Sequence, residues 1–477
     1  MCLILSHIAA GRDLKYCFVF TALAFFGTQG FAQTQLQKRA DKFYEAQQYH
    51  VAAQLYERLL AEDTTHYYAA YRLGHCQREL FAYEEAEKHF SYLAKNAAQY
   101  FPASLFYYAR ALMRKEDFSS AIHWYENYLS LPERQLDTSL AKMARSEKAS
   151  CLEAMLLPSV TEDVLVERLP DPVNTDYQEF APVFYGGDSV LLFSSSRPQA
   201  KGPRSNRSGQ RFTDQYLFQA DSSSWRIFAD ADRLGRLNSD GSEASGSFTA
   251  DMRTYYFTRC GERGGNCRIY RSIKSKGHWQ PPQLLPEAIN QMGTNSKHPF
   301  VTASGDSLFF VSDREGGFGK TDIWLSAYDP QKGWQKARNM GAEINSSQDA
   351  IFPFYHQSED LFIFGSDGHD GPGGMDLYMT KLENTTKSNL LPLEAPFNTA
   401  QDDCCLVFGK SLGYLASNRD GNFDIYSFSK EKDQSLRQLL MGIAPASSRQ
   451  PLVAGQSYKE VITDHSLLMD NDREYLS

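Results

Sequence analysis

Along the first part of the chain, apolar residues recur at helical spacing between short polar turns. From about Asp176 that spacing stops, and short alternating runs begin, punctuated by Gly, Asp, Ser and Asn. The change of period predicts a helical region followed by a β region, with the boundary between Pro158 and Pro172. Within the helical region the pattern repeats: Ala40, Tyr49, Ala52 and Tyr56 recur 34 residues on as Gly74, Tyr83, Ala86 and Phe90. They recur 35 residues later still as Ala109, Phe118, Ala121 and Tyr125. A small residue in the first helix lets the second approach at its own small residue, and the aromatic fills the wedge between pairs. A further helix, about Ser139 to Leu157, is expected to cover the apolar end of the stack.

The β region also repeats. Its clearest copy runs His298-Pro299-Phe300-Val301, Leu308 to Ser312, Asp313-Arg314-Glu315-Gly316-Gly317, then Asp322-Ile323-Trp324. Relatives of it start at Ala181, Ser247, Phe352 and Leu406. With Pro182, Phe248, Pro299, Pro353 and Leu406 as equivalents, the spacings are 66, 51, 54 and 53 residues. Four-stranded blades of a β-propeller occupy about 40–50 residues, so these are slightly long blades. Five copies predict five blades, or six if Glu162 to Leu169 and part of the tail pair into another sheet. Lys201 to Arg211 is the loop that lengthens the first interval. Val164 to Leu169 is the candidate strand to close the ring on the last blade, because closure removes exposed sheet edges.

The helical period, Leu73-Gly74 and the terminal Leu131-Pro132 resemble the tetratricopeptide (TPR) family, and residues 178–430 resemble the WD40-like PD40 repeats of TolB-type propellers. TPR arrays hold peptides on the concave face lined by their first helices. The resemblance therefore implies a groove carrying Asp41, Tyr44, Tyr68, Tyr71, His75, Arg78, Phe106, Arg110 and Met113, whose aromatics and two arginines suit an acidic or C-terminal carboxylate group. The alternative is that Tyr68, Tyr71 and Phe106 pack between repeats. The order of segments is similar to cell-envelope proteins of Bacteroidetes that often end in an OmpA-like peptidoglycan-binding domain, including PorE-like components of type IX secretion. Residues 431–477 are too few for such a domain.

Charge and composition narrow the function. Apolar residues at 42% and 27 Tyr with 31 Phe describe folded protein, while a net charge of −9 without clustered Lys and Arg argues against nucleic acid. Arg12 and Lys15, the apolar run Tyr16 to Phe26, and Gly30-Phe31-Ala32 before Gln33 read as a signal peptide over 1–32. The mature chain is then a soluble periplasmic protein with no transmembrane span, placed by the resemblance at the inner face of the outer membrane. Export puts six cysteines in an oxidising compartment. Cys260 and Cys267 flank a glycine-rich turn that brings two strand ends within disulfide reach. Cys404 and Cys405 are adjacent and, because neighbours on a regular strand face opposite ways, read as separate buried thiols in preference to the alternative of a vicinal bridge.

No catalytic, cofactor or metal site is expected. Gly316-Gly317-Phe318-Gly319-Lys320-Thr321 ends like a phosphate loop but has Arg314 where the first glycine belongs, and reads as a blade turn. Asp402-Asp403 could serve glycoside chemistry, yet read as surface and turn residues. The expected organisation is 33–157 TPR repeats with a capping helix, 158–177 linker and ring-closing strand, 178–430 propeller, and 431–477 a tail of unassigned structure. The expected function is a scaffold in a cell-envelope or type IX secretion-related complex, binding partner proteins through the TPR groove and the propeller face. The alternatives are a peptidoglycan-associated module, directly or through a partner, and a propeller hydrolase acting on peptide or glycan.

Overall fold

The computed structural model describes residues 33–156, 164–187, 189–220, 225–227, 237–261, 265–382, 390–432 and 434–441. The signal-peptide reading, most of the linker and the tail past residue 441 lie outside these described residues.

A helical array of stacked pairs comes first. Helix α1 covers residues 33–45, and α2 (Tyr49–Glu62), α3 (Tyr67–Glu79), α4 (Tyr83–Asn96), α5 (Ala103–Arg114), α6 (Phe118–Leu129) and α7 (Thr138–Leu156) follow. The repeated small residues Ala40, Ala52, Ala109 and Ala121 have no exposure, and Tyr56, Phe90 and Tyr125 fill the spaces between pairs. At Gly74 a Cβ would stand 3.0 Å from the Phe90 ring, so helix approach sets the residue size there. Each turn inside a pair ends on a left-handed residue at the same place in the repeat: Gln47, Phe81 and Glu116. None is glycine, so the packed helices on either side hold the strain, roughly 1–2 kcal/mol per residue.

The β region is a five-bladed propeller, each blade an antiparallel sheet. Blade 1 holds β2 (Glu179–Phe184), β3 (Val190–Ser195), β4 (Asp214–Ala220) and β5 (Trp225–Ile227). Blade 2 is built from β6 (Ser242–Phe248), β7 (Thr254–Cys260), β8 (Cys267–Ser275), β9 (His278–Trp279) and β10 (Gln283–Leu284). In blade 3 these are β11 (Ser296–Val301), β12 (Ser307–Ser312), β13 (Asp322–Asp329), β14 (Gly333–Trp334) and β15 (Arg338–Asn339). Blade 4 comprises β16 (Ala350–His356), β17 (Leu361–Ser366), β18 (Asp376–Thr380) and β19 (Leu391–Pro392). The fifth contains β20 (Asp403–Phe408), β21 (Leu412–Ser417) and β22 (Asp424–Ser429), and its outer strand is β1 (Val166–Arg168), with Val166 opposite Phe428. The last sheet is thus built from both ends of the β region, which closes the ring.

Hydrophobic clusters hold neighbouring blades together. Trp279 packs with Leu192 and Leu217 between blades 1 and 2, and Trp334 with Tyr256 and Ile269 between blades 2 and 3. Phe309 and Val311 meet Phe362 and Phe364 between blades 3 and 4. Helix α8 (Leu436–Leu440) buries three leucines on the cluster between blades 4 and 5, and Glu359 accepts hydrogen bonds from its first backbone amides.

Two polar devices repeat with the blades. An apolar residue followed by asparagine precedes each inner strand, at Asn174, Asn238, Asn290, Asn345 and Asn398. Each side chain bonds both the N–H and the C=O of one third-strand residue, as Asn398 does with Leu377 and Asn174 with Ile425. Asn174 performs this on blade 5, so the ring closes with the same clasp that joins the other blades. An arginine two residues past the second strand (Arg197, Arg314, Arg419), or within its last residues in blade 2 (Arg259), donates to a carbonyl beside that asparagine. Blade 4 has Gly368 in its place, and there a ring nitrogen of His369 meets the Ile344 carbonyl oxygen at 2.9 Å.

Every inner strand carries a bulge, and each places a non-glycine residue in the left-handed region: Ala181, Ser245, His298, Phe352 and Cys405. This corrects one equivalence. The partner of Pro182 in blade 2 is Gly246, not Phe248, because the bulge residue Ser245 matches Ala181.

Candidate functional site

The helical array sits against one end of the propeller. Arg114, at the end of α5, donates to Asp402 at 3.1 and 3.2 Å and to Asn418 at 3.3 Å, with its guanidinium 3.6 Å above the Tyr83 ring. The Tyr83 hydroxyl donates to the same carboxylate. Burial raises an aspartate, but Arg114 and these hydrogen bonds outweigh it and hold Asp402 at about 2. On α7, Ser150 donates to the Gly371 carbonyl at 3.1 Å, and Ser146 bonds Asp370. The loop that lengthens blade 1 reaches the first helix pair: the Arg207 carbonyl accepts from the His50 amide at 2.9 Å, and its guanidinium donates to Gln47. The insertion therefore serves as an interdomain clamp.

Between these contacts lies a cleft of about 960 Å³. Its helical wall carries Arg78, Phe81, Tyr107, Arg110 and Ala111. Its propeller wall carries Phe180, Lys297, His298, Ile351, Phe352 and Cys404. The bulge residues His298 and Phe352, stacked at 3.7 Å, also line the narrow space along the propeller axis behind the cleft. Burial pushes His298 well down, so it is neutral at physiological pH, and its Nδ1 has no hydrogen-bond partner among the described residues.

The cations of the cleft differ in what they already hold. Arg110 is spent on Glu147, donating from Nε at 3.0 and 3.1 Å, while Tyr125 donates to the same carboxylate. Arg78 pairs with Glu79 and lies over Tyr107, and Arg114 pairs with Asp402. The Lys297 side chain has no hydrogen bond or ion pair among the described residues. Burial drives its ammonium below the usual lysine value; Asp349 opposes this and Arg207 adds to it. Lys320 at the rim also lacks a side-chain partner among the described residues but is exposed, so the half-buried Lys297 is the cation in the cleft best placed to gain from an incoming carboxylate.

Of the side chains read from sequence as groove-lining, Arg78 and Arg110 line the cleft and the others do not. Phe106 is fully buried against Tyr125 and Tyr128, and His75 is buried among Tyr71, Phe90 and Tyr107. Tyr71 stacks on Phe101, Tyr68 donates to Asp41 at 2.9 Å, and Tyr44 lies under Arg72. These five make contacts within the array, and for Tyr68, Tyr71 and Phe106 packing between repeats is the alternative given above. Sequence reasoning missed Lys297, His298 and Phe352. The signal available was a basic–aromatic pair, Lys297-His298, at a bulge that other blades fill with Phe180-Ala181, Ala244-Ser245 and Ile351-Phe352.

Cys260 and Cys267 form a disulfide across the β7–β8 hairpin. The phosphate-loop lookalike wraps Asp322, which accepts from the Phe318 and Gly319 amides, and a Cβ at Gly319 would stand 2.1 Å from the Gln348 carbonyl oxygen. Asp403 is taken up by Arg419 at 2.7 Å and by Thr399, as Asp402 is by Arg114. Among the described residues, no group of three or more His, Cys, Asp or Glu is placed to hold a metal. None of their helices is long and apolar enough to cross a membrane.

No family model and no curated protein matches the chain. Among solved structures, it is similar to a putative TolB from Agrobacterium tumefaciens at 13% identity and TM-score 0.31, over 54% of this chain and 92% of that one. It is similar to the catalytic domain of the Coprinopsis cinerea GH62 α-L-arabinofuranosidase at 12% identity and TM-score 0.34, over 57% and 98%. A prolyl endopeptidase is similar at 14% and 0.28 over 50% of this chain, which spans 30% of that protein's length. At these identities the likeness says nothing of activity.

Proposed function

We propose that this chain is an exported, non-enzymatic scaffold of the cell envelope, acting on the periplasmic side in a secretion or envelope-assembly complex. It holds an extended segment of a partner protein, bearing an acidic or C-terminal carboxylate, between the helical array and the propeller. One observation carries the reading: the cleft walls come from both repeat domains, its aromatics offer apolar contact, and the half-buried Lys297 between them has no side-chain partner among the described residues. A groove partner and a propeller partner then become one partner in one site, and attachment to peptidoglycan runs through that partner.

The test is a display library of peptides with free C termini, selected against the full chain and then re-measured as amides and against Lys297→Glu. Enrichment lost on amidation and on charge reversal supports the reading. Cleavage of the peptides would favour the hydrolase, and retention by purified sacculi with no other protein would favour direct peptidoglycan association. Equal binding by Lys297→Glu would remove Lys297 as the anchor.

A further inference from the structure

The bulge in β20 changes the geometry of the two adjacent cysteines. On a regular strand they would face opposite ways, but Cys405 has φ of 60°, and the register jumps from Cys404 opposite Ala416 to Val407 opposite Tyr414. The left-handed residue brings its side chain back beside its predecessor's, and the two Sγ atoms lie 2.8 Å apart. Even non-bonded carbons rest at roughly 3.5–4.0 Å, and bonded sulfurs at about 2.05 Å. Both residues are buried in one cluster with Ala416, Phe180 and Phe352. Cys404 lines the cleft and Cys405 the axial space behind it, so a small solute in the cleft reaches the pair from the Cys404 side. The chain already carries one disulfide, at Cys260–Cys267; Cys404 and Cys405 are unbonded in the structure, like Cys76 and Cys151 in the helical array, but are the adjacent pair with sulfurs in contact.

We propose that Cys404 and Cys405 are a covalent modification site on the floor of the cleft, where they form a vicinal disulfide by exchange with a small-molecule disulfide. Cys404 Sγ gives up its proton and attacks one sulfur of the donor, whose other sulfur leaves as a thiol. Cys405 Sγ, deprotonated in turn, attacks Cys404 Sγ and expels the second thiol. Two protein thiols are oxidised by two electrons, and the donor's S–S bond is reduced to two thiols. Burial, with Cys405 and Asp403 beside it, raises the Cys404 thiol well above the usual range, so reduced Cys404 is a slow nucleophile. The bond is therefore a stored one that fixes the bulge beside Phe352, not a turnover centre.

The experiment uses the full chain, produced in an oxidising compartment, alkylated under denaturing conditions without reductant, digested and weighed. The 404–405 peptide is expected without alkyl groups and two hydrogens lighter, taking two groups only after reduction, while Cys76 and Cys151 are alkylated in both samples. Reduced, refolded protein incubated with oxidised glutathione is expected to regain the same mass with no glutathione retained. Cys405→Ser should leave Cys404 alkylated or as a mixed disulfide. Alkylation of both cysteines in the unreduced and glutathione-treated wild type would overturn the proposal. So would a Cys404 that stays blocked in Cys405→Ser through a bond to another cysteine.

Discussion

Replacing Asp402 by Asn takes one charge out of the ion pair that fastens the helical array to the propeller. The carboxylate accepts from both Arg114 terminal nitrogens, from Asn418 Nδ2 at 2.8 Å, from the Met375 amide at 3.1 Å and from Tyr83. Its hold at about 2, against an ordinary 3.8, amounts to about 2.4 kcal/mol in favour of the charged form, at about 1.36 kcal/mol per unit. The variant also leaves the buried Arg114 guanidinium facing a neutral amide, and breaking a buried pair from one side costs about 3–5 kcal/mol. Because Asn keeps an acceptor, the expected loss is at the low end, about 3 kcal/mol. The assay is urea unfolding, followed by far-ultraviolet circular dichroism for the helices and by tryptophan fluorescence, which reports mainly on the blades. In wild type the two signals fall together. In Asp402→Asn the helical midpoint moves to lower urea by about 1 M, for a slope of about 3 kcal/mol per molar, and separates from the fluorescence. The pH sign follows from the depressed carboxyl: the folded state binds fewer protons, so the stabilisation is complete above about pH 4 and is lost as pH falls toward 2. Wild type and variant therefore converge in acid. Superimposable curves at pH 7 would refute the reasoning.

Asn398→Ala orphans the Leu377 amide and takes a donor from the Leu393 carbonyl, while the Leu377 carbonyl keeps the Leu393 amide, and at about 1–3 kcal/mol per buried unpaired group it should cost about 2 kcal/mol in thermal unfolding. Asn127→Ala on the exposed face of α6 is the control, expected within about 0.5 kcal/mol of wild type. Gly74→Ala should be near neutral, since a helix-propensity gain of about 1 kcal/mol offsets the 3.0 Å contact with Phe90, whereas Gly74→Val should lose about 1–3 kcal/mol by urea titration. Lys297→Gln, which adds no carboxylate beside Asp349, should unfold at a midpoint close to wild type while binding the carboxylate-bearing peptides more weakly, as measured by fluorescence anisotropy.

The fold was legible because both repeats write themselves in residue size. Small residues at Ala40, Gly74 and Ala109 mark close helix approach, and the apolar runs ending in Ser or Thr mark second strands. Less visible was the clasp at Val173-Asn174, Leu237-Asn238, Ile289-Asn290, Ile344-Asn345 and Phe397-Asn398, which recurs as regularly as the strands but lies in loops. The bulges were hidden because a left-handed residue has no reliable sequence mark when it is His298, Phe352 or Cys405 instead of glycine. That is also why blade 2 aligned two residues out and why Cys404 and Cys405 read as facing apart. The groove residues were placed by repeat position alone. That position says which helix face Phe106 or His75 occupies, but not that neighbouring repeats cover it. Nor could the sequence say that the propeller mouth meets the ends of α3 and α5, since that contact joins residues such as Arg114 and Asp402 far apart in the chain.

The central claim is that one partner segment occupies one cleft with walls from both domains. Its most direct test places a photo-crosslinking amino acid at Ala111 on the helical wall, at Ile351 on the propeller wall, and at exposed Tyr328 at the far end of β13 as a control. Irradiation in the native envelope, with the crosslinked peptides identified, should yield the same segment of the same protein at Ala111 and Ile351, and not at Tyr328. Different partners at the two walls, or a product at neither, would contradict the account.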